Sequence, residues 1–324
     1  MNTDPSTGAT EPLCQRCESP LEPEDLRCAV CALPVPISPL ADVQQAVTQI
    51  LRCNGCGAAV RYLAEIGAPR CDFCDSVMEI ETPEDPVEQA EFFVRFAITD
   101  EQARKALKRW LGGLGFFRPS DLQSRAAVDA LKPLWWVGWM FDAEGTMTWA
   151  ADSNAGSRRA DWAPHSGQAP LRLHNVVVPA SRGLTEVECR GLIASYDISN
   201  VATQPPHHDR ATFEQFAVQR SAARKIISGA LEAAARNRAV PLIPGARHRK
   251  LSVAVLPTRL VSRHYAFPAY VLAYRYRDKL YRAIVHGQDA TCVVGKAPIS
   301  WARVAAVALA VIALIAVVAT IATA

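Results

Sequence analysis

Apolar positions recur along this chain with more than one period, and the changes of period mark its elements. Phe92–Ile98 alternates as a strand, and Asp100 caps a predicted helix that runs through Leu111 and stops at Gly112-Gly113. Leu131–Trp149 holds the aromatic stretch Trp135, Trp136, Trp139, Phe141 and Trp149, dense enough to read as buried strands. Ser153–Pro170 is rich in Gly, Ser and charge and reads as a loop, followed by a strand at Leu171–Pro179. Phe213–Arg236 carries Phe216, Ile226, Ile227 and Leu231 at amphipathic helix spacing. From Leu251 onward the pattern is that of strands again: Leu251–Leu256, Arg259–Tyr265, Tyr270–Tyr276, Lys279–His286 and Thr291–Gly295. Last comes Val304–Ala324, twenty-one residues without a charge. At 1.5 Å per residue this run makes a helix of about 31 Å, against a hydrocarbon core of roughly 30 Å.

These segments predict an α+β fold with two small N-terminal zinc ribbons (1–40 and 52–80) joined by a linker helix at 41–51. A solvated acidic linker, Glu81–Glu91, leads into a mixed α+β domain over 92–300, and 301–324 forms a transmembrane tail anchor. A buried core helix is the alternative for that terminal run. Trp301 sits where an interfacial aromatic belt is expected, with Lys296 and Arg303 on the cytoplasmic side. Met1–Leu13 is polar and lacks the apolar stretch of a signal peptide, so the expectation is a single-pass protein of the bacterial cytoplasmic membrane with its bulk in the cytosol.

Composition adds one asymmetry. The chain carries a net +3, but Arg210–Arg303 holds 17 Lys and Arg against four acids, a surplus of 13, which leaves −10 for the first 209 residues. A basic half of this kind faces an anionic lipid surface, a nucleic acid, or only solvent.

The cysteines carry the clearest chemistry. Cys14 and Cys17 pair with Cys28 and Cys31 across ten residues, and Cys53 and Cys56 pair with Cys71 and Cys74 across fourteen. Two residues between ligands let both thiolates of a tight turn face one ion, and two such turns complete a tetrahedron. A lone CxxC is equally a redox motif; four of them in consecutive pairs indicate two structural Zn2+ ions, with a degenerate first site as the alternative. The first quartet has Glu18 and Ala32 where Gly57 follows Cys56 in the second. Cys189 and Cys292 have no ligand set near them in sequence and read as small buried residues.

No catalytic constellation accompanies these sites. Gly295-Lys296 is followed by Ala297 and preceded at the first-glycine position by Ala290, so it is no phosphate loop. GxSxG and HExxH are absent, and His207-His208-Asp209 reads as a polar loop.

Tyr274–Tyr281, Val285-His286-Gly287 and Val294–Ser300, together with Leu134–Val137 and Val178–Ser181, resemble the signatures of a bacterial family of membrane-associated zinc-ribbon proteins. The family is variously labelled TFIIB-type zinc ribbon or primosomal helicase-like. The resemblance covers most of 50–303 and implies N-terminal ribbons, a mixed middle domain and hydrophobic C-terminal segments. It departs at His286, where the family shows Asn, and in its extra ribbon at 14–31. The nucleotide-binding motifs of a helicase are missing. The sequence thus reads as a non-enzymatic membrane-anchored scaffold or adaptor for protein partners, or as a nucleic-acid-binding ribbon protein tethered to the membrane.

Overall fold

The computed structural model describes residues 12–22, 25, 27–35, 50–54, 59–61, 70–71, 76–81, 88–156, 161–206, 211–277 and 279–323. In chain order its strands and helices are β1 (Ile50–Cys53), β2 (Ala59–Arg61), β3 (Met78–Glu81), β4 (Phe92–Val94), α1 (Asp100–Gly112), α2 (Leu122–Arg125), β5 (Ala127–Ser153), β6 (Ala163–Pro179), α3 (Glu186–Ile193), β7 (Val201–Ala202), β8 (Thr212–Phe213), α4 (Arg220–Ala239), β9 (His248–Tyr276), β10 (Lys279–His286), β11 (Val293–Gly295) and α5 (Trp301–Thr323).

The backbone of the fold is the antiparallel pairing of β5 with β9, which runs from Ala127↔Arg275 to Ser153↔His248. Both strands exceed the usual five or six residues several-fold. β6 lines the far side of β5, and β10 and β4 divide the far side of β9 between them. Three short strands, β1–β3, form a separate sheet in the order β2-β1-β3.

Alternation of side chains gives this ribbon two covered faces. On one, Leu134, Trp136 and Met140 meet Phe267, Ala269 and Val271, under α3 (Cys189, Leu192) and under Leu51, Cys53, Cys71 and Met78. Trp136 stacks on Phe267 at 4.7 Å and donates its Nε1–H to Tyr196 at 2.9 Å. On the other face, Trp139, Phe141, Met147 and Trp149 pack beneath Ala223, Ile227, Leu231 and Ala235 of α4. At the far end of that face, Tyr270, Leu272 and Tyr274 lie beneath α1. The aromatic stretch is therefore core, with Trp135, Trp136 and Trp139 all buried.

The expected α+β class does not stand, because strands hold 40% of the described residues and helices 26%. Segments that read as separate short strands are continuous. The prolines between them sit where a strand tolerates a missing N–H. Pro257 falls at a bulge opposite Glu144 and Gly145, where a Cβ on Gly145 would lie 2.5 Å from the Leu256 carbonyl. Pro268 falls in the gap between β10, which ends opposite Ala269, and β4, which begins opposite Ala266; its carbonyl accepts from Gly287 N–H at 2.9 Å. Likewise the loop read at Ser153–Pro170 is a strand from Ala163 on, its Pro164 and Pro170 carried on a strand paired only to β5. α4 starts at Arg220 rather than Phe213, which instead pairs with and stacks on Trp135 at 4.6 Å. Thr99, not Asp100, caps α1, through a reciprocal capping box with Gln102. Of the linker helix expected at 41–51, Ile50 and Leu51 belong to β1 and the rest lies outside the described residues.

The transmembrane tail anchor is corrected as well. α5 forms over Trp301–Thr323. Among the described residues no helix is long and apolar enough to cross a membrane, so the single-pass anchor and the inner-membrane location do not hold. The root of α5 is tied to the domain: Arg303 donates to the carbonyls of Phe116 and Arg118 at 2.8 and 2.9 Å.

Removing the Trp136 ring leaves a cavity on the covered face of the two long strands and takes one of its two partners from the Tyr196 hydroxyl, which keeps its bond to the Pro268 carbonyl. Trp136→Ala is expected to lower stability by about 3–5 kcal/mol in urea unfolding, and a loss under about 1 kcal/mol would contradict the packing described.

Candidate metal centre

Each CxxC pair sits in the same backbone unit. The residue before the first cysteine pairs with the residue six positions after that cysteine: Leu13↔Pro20, Arg27↔Pro34, Arg52↔Ala59 and Arg70↔Val77. In three of the four, the amide of the first cysteine also donates to the carbonyl five residues on, Cys14 to Ser19 at 2.9 Å, Cys28 to Leu33 at 2.8 Å and Cys71 to Ser76 at 2.8 Å. The chain thus closes a tight hairpin knuckle at Cys14–Cys17 and at Cys28–Cys31 and flanks the other two pairs with the same register, and in the first knuckle the Arg16 and Cys17 amides turn toward the Cys14 sulfur.

In the first quartet the two knuckles face each other. The sulfurs of Cys14, Cys17, Cys28 and Cys31 all lie within 4.8 Å of one another, with Cys14–Cys31 and Cys17–Cys28 both at 3.6 Å. A tetrahedral ion with 2.3 Å bonds to sulfur requires sulfur–sulfur separations of about 3.8 Å, so these side chains fit a four-thiolate metal. Their electrostatics point the same way. Backbone N–H groups of Arg16 and Cys17 pull the Cys14 thiol down to about 6. The Ser19 amide also pulls Cys17 down, but desolvation and the neighbouring sulfurs outweigh it and push that thiol up to about 12. Four such groups cannot all ionise side by side without a cation between them.

Of the second quartet, Cys53 and Cys71 are buried, at 2% and 1% exposure. β1 brings their knuckles together through Cys53↔Met78 and a hydrogen bond from Asn54 N–H to the Val77 carbonyl at 3.4 Å. Cys56 and Cys74 lie outside the described residues, as does His207-His208-Asp209. Cys189 is fully buried and Cys292 half-buried, its thiol on the Gly191 carbonyl at 3.4 Å.

Sequence reasoning did not identify the group of charges that seats the first knuckle on the sheet. Asp25 takes a two-pronged contact from Arg224, Nη1 to Oδ1 at 2.8 Å and Nη2 to Oδ2 at 3.3 Å. Glu22 accepts from the Ser262 amide at 2.5 Å and pairs with Arg224 at 3.1 Å and Arg220 at 3.6 Å. Beneath them His264 binds Glu88 at 2.7 Å and Glu91 at 3.4 Å, with its ring 4.4 Å from that of Trp139. Burial alone would pull the His264 imidazolium down, but its hydrogen bonds to Glu88 and Glu91 prevail and hold it up, at about 9. No local pattern announces this group, since Asp25 and Arg224 are 199 residues apart.

Two expectations follow. Glu18 and Ala32 adopt left-handed backbone, φ 56° and 57°, to close their knuckles. That conformation costs an L-residue about 1–2 kcal/mol, part of which glycine recovers, so Glu18→Gly and Ala32→Gly should each tighten metal binding a few-fold in competition with a chromogenic chelator. Unchanged binding would contradict the assigned turn. The second concerns pH. His264 is raised from 6.5 to about 9 in the fold, so its contribution is fully present below about 6.5 and is lost as pH rises through 9. The difference in stability between wild type and His264→Gln should shrink by up to about 3 kcal/mol over that window, and a difference independent of pH would refute the assignment. No protein-family model matches the chain, and no curated protein or solved structure proves similar to it.

Proposed function

We propose that the chain is a non-catalytic scaffold in which each cysteine quartet takes one structural Zn2+, and which offers its outer surface to protein partners. The observation that carries this reading is the closed set of four sulfurs at Cys14, Cys17, Cys28 and Cys31. Four thiolates leave an ion no open position for water, which suits a structural role rather than hydrolytic chemistry. The shared knuckle register at Cys53 and Cys71 extends the reading to Cys53, Cys56, Cys71 and Cys74. It also accords with the resemblance of Tyr274–Tyr281 and Val294–Ser300 to the bacterial zinc-ribbon family.

Of the ionisable groups shielded from solvent, Glu188 completes the capping box of α3 with Thr185 and pairs with Arg282 at 2.6 Å, Asp142 pairs with Arg263 at 2.5 Å, and Glu214 accepts from the Arg182 and Gly183 amides at 3.1 and 3.0 Å. For a partner surface, the root of α5 offers Phe116, Phe117, Leu280, Ile299 and Trp301, all exposed. Of these, Ile299 and Trp301 line a groove of about 570 Å³ together with Tyr276, Arg277, Lys279, Tyr281 and Arg303. Aromatic residues and arginine are enriched at protein interfaces, and apolar patches of this kind mark interaction sites. The basic half favours a protein over a nucleic-acid partner in this reading, because Arg220, Arg224, Arg249, Arg263 and Arg282 all pair with acids of the first half of the chain.

Elemental analysis of the purified full chain is expected to find two zinc ions per molecule, falling to one in Cys17→Ser and to one in Cys71→Ser. Metal-free protein, or iron in place of zinc, would contradict the proposal.

A further inference from the structure

Glu22 and Asp25 occupy a particular place in the sequence: both lie between Cys17 and Cys28, on the loop whose two ends are metal ligands. Their carboxylates are the contacts that the first knuckle sends deepest into the domain. The Asp25 side chain is 4% exposed and the Glu22 side chain 13%, while Arg220 and Arg224 beneath them are 15% and 18% exposed. Ala29 and Val30 of the second knuckle pack on the same face, against the apolar cluster under α4.

What these carboxylates fill is a cleft between donors of α4 and β9. Two guanidinium groups converge on it from successive turns of α4, with Arg220 lying 5.6 Å over the Trp139 ring. The Ser262 N–H and hydroxyl complete it, both bound to Glu22. Ser262 lies on the outer edge of β9, beyond the two residues that β4 pairs, where no other described strand runs alongside. A free amide on a strand edge accepts an extended peptide, and paired guanidinium groups accept carboxylates in a two-pronged geometry. Arg224 Nε, buried and without a partner among the described residues, shows that the internal carboxylates do not use every donor the cleft has.

The metal is what makes this occupancy sustainable. Among the described residues of the first knuckle pair the buried apolar ones are Cys14, Leu21 and Cys28, so it has little core of its own. Without an ion drawing the cysteines together, ordering the loop costs about 1–2 kcal/mol per residue in backbone entropy, more than partly exposed ion pairs return.

From this we infer that the first metal centre is a latch: with metal bound, Glu22 and Asp25 fill the cleft of Arg220, Arg224 and Ser262, and when the metal is lost the loop leaves and the cleft takes an acidic, extended peptide segment of a partner. The inference rests on the zinc reading above and adds to it the class of partner and the condition for binding.

The test uses the full-length chain, a fluorescein-labelled oligoglutamate peptide as probe, and metal content measured on every sample. Cys17→Ser, which disables only the first site, is expected to bind the peptide at least about tenfold tighter than the zinc-loaded wild type, and added salt should weaken that binding. Adding Arg224→Gln to Cys17→Ser should abolish the gain. The double variant Glu22→Gln, Asp25→Asn leaves every cysteine in place, so it should retain two zinc ions and still bind the peptide, which keeps the result independent of any unfolding in Cys17→Ser. Equal affinity in the wild type, Cys17→Ser and the Glu22/Asp25 variant would overturn the latch while leaving the zinc reading intact. So would a gain that survives Arg224→Gln, or one that inorganic phosphate competes away as well as free peptide does. Wild type purified without metal would overturn both.

Discussion

The pairing of β5 with β9 is the constraint on which the remaining structure depends. Two strands of this length cannot bury either face alone, and each face must be covered along its whole run. α1 and α4 divide one face between its two ends. α3 and the second pair of knuckles cover the other, with Cys53, Cys71, Leu51 and Met78 entering the same apolar cluster as Trp136 and Phe267. The cysteine knuckles are therefore parts of the covering of the sheet, and holding their sulfurs together also holds that covering in place.

The first quartet reaches the domain by a different physical route. Its knuckles bring few apolar atoms and attach through carboxylates set between guanidinium groups. Ion pairs of this depth stabilise little relative to well-packed apolar residues, because desolvation offsets most of the attraction. They do impose a unique seat. A loop carrying Glu22 and Asp25 fits only where Arg220, Arg224 and the Ser262 amide are arrayed, and removing one partner leaves buried charge behind. Such an attachment is specific when complete and sensitive when any part is missing, a property that suits a releasable contact better than a permanent core.

Much of the candidate site was legible in the sequence, since a CxxC pair encodes its own turn, and the register found at Cys14 recurs at Cys28, Cys53 and Cys71. The helix at α1 was legible because Ala103, Ala106, Leu107 and Leu111 repeat on one face. The long strands were not. Proline signals the end of a strand in local terms, yet Pro257 and Pro268 sit at a bulge and at a change of neighbour, features defined only by the partner strands. The internal pairing between the acidic and basic parts of the chain was not legible either, because Glu22, Asp25, Asp142, Asp152 and Glu188 meet arginines distant in sequence. At the terminus, an uninterrupted apolar run predicted a membrane-spanning helix, and no helix among the described residues meets that requirement.

The central claim is that closed thiolate sites hold the knuckles on the sheet, and X-ray absorption at the zinc edge of the purified chain addresses it most directly. The account predicts zinc surrounded by four sulfur atoms at about 2.3 Å with no oxygen or nitrogen ligand. A first shell containing oxygen or nitrogen, or no zinc signal at all, would contradict it.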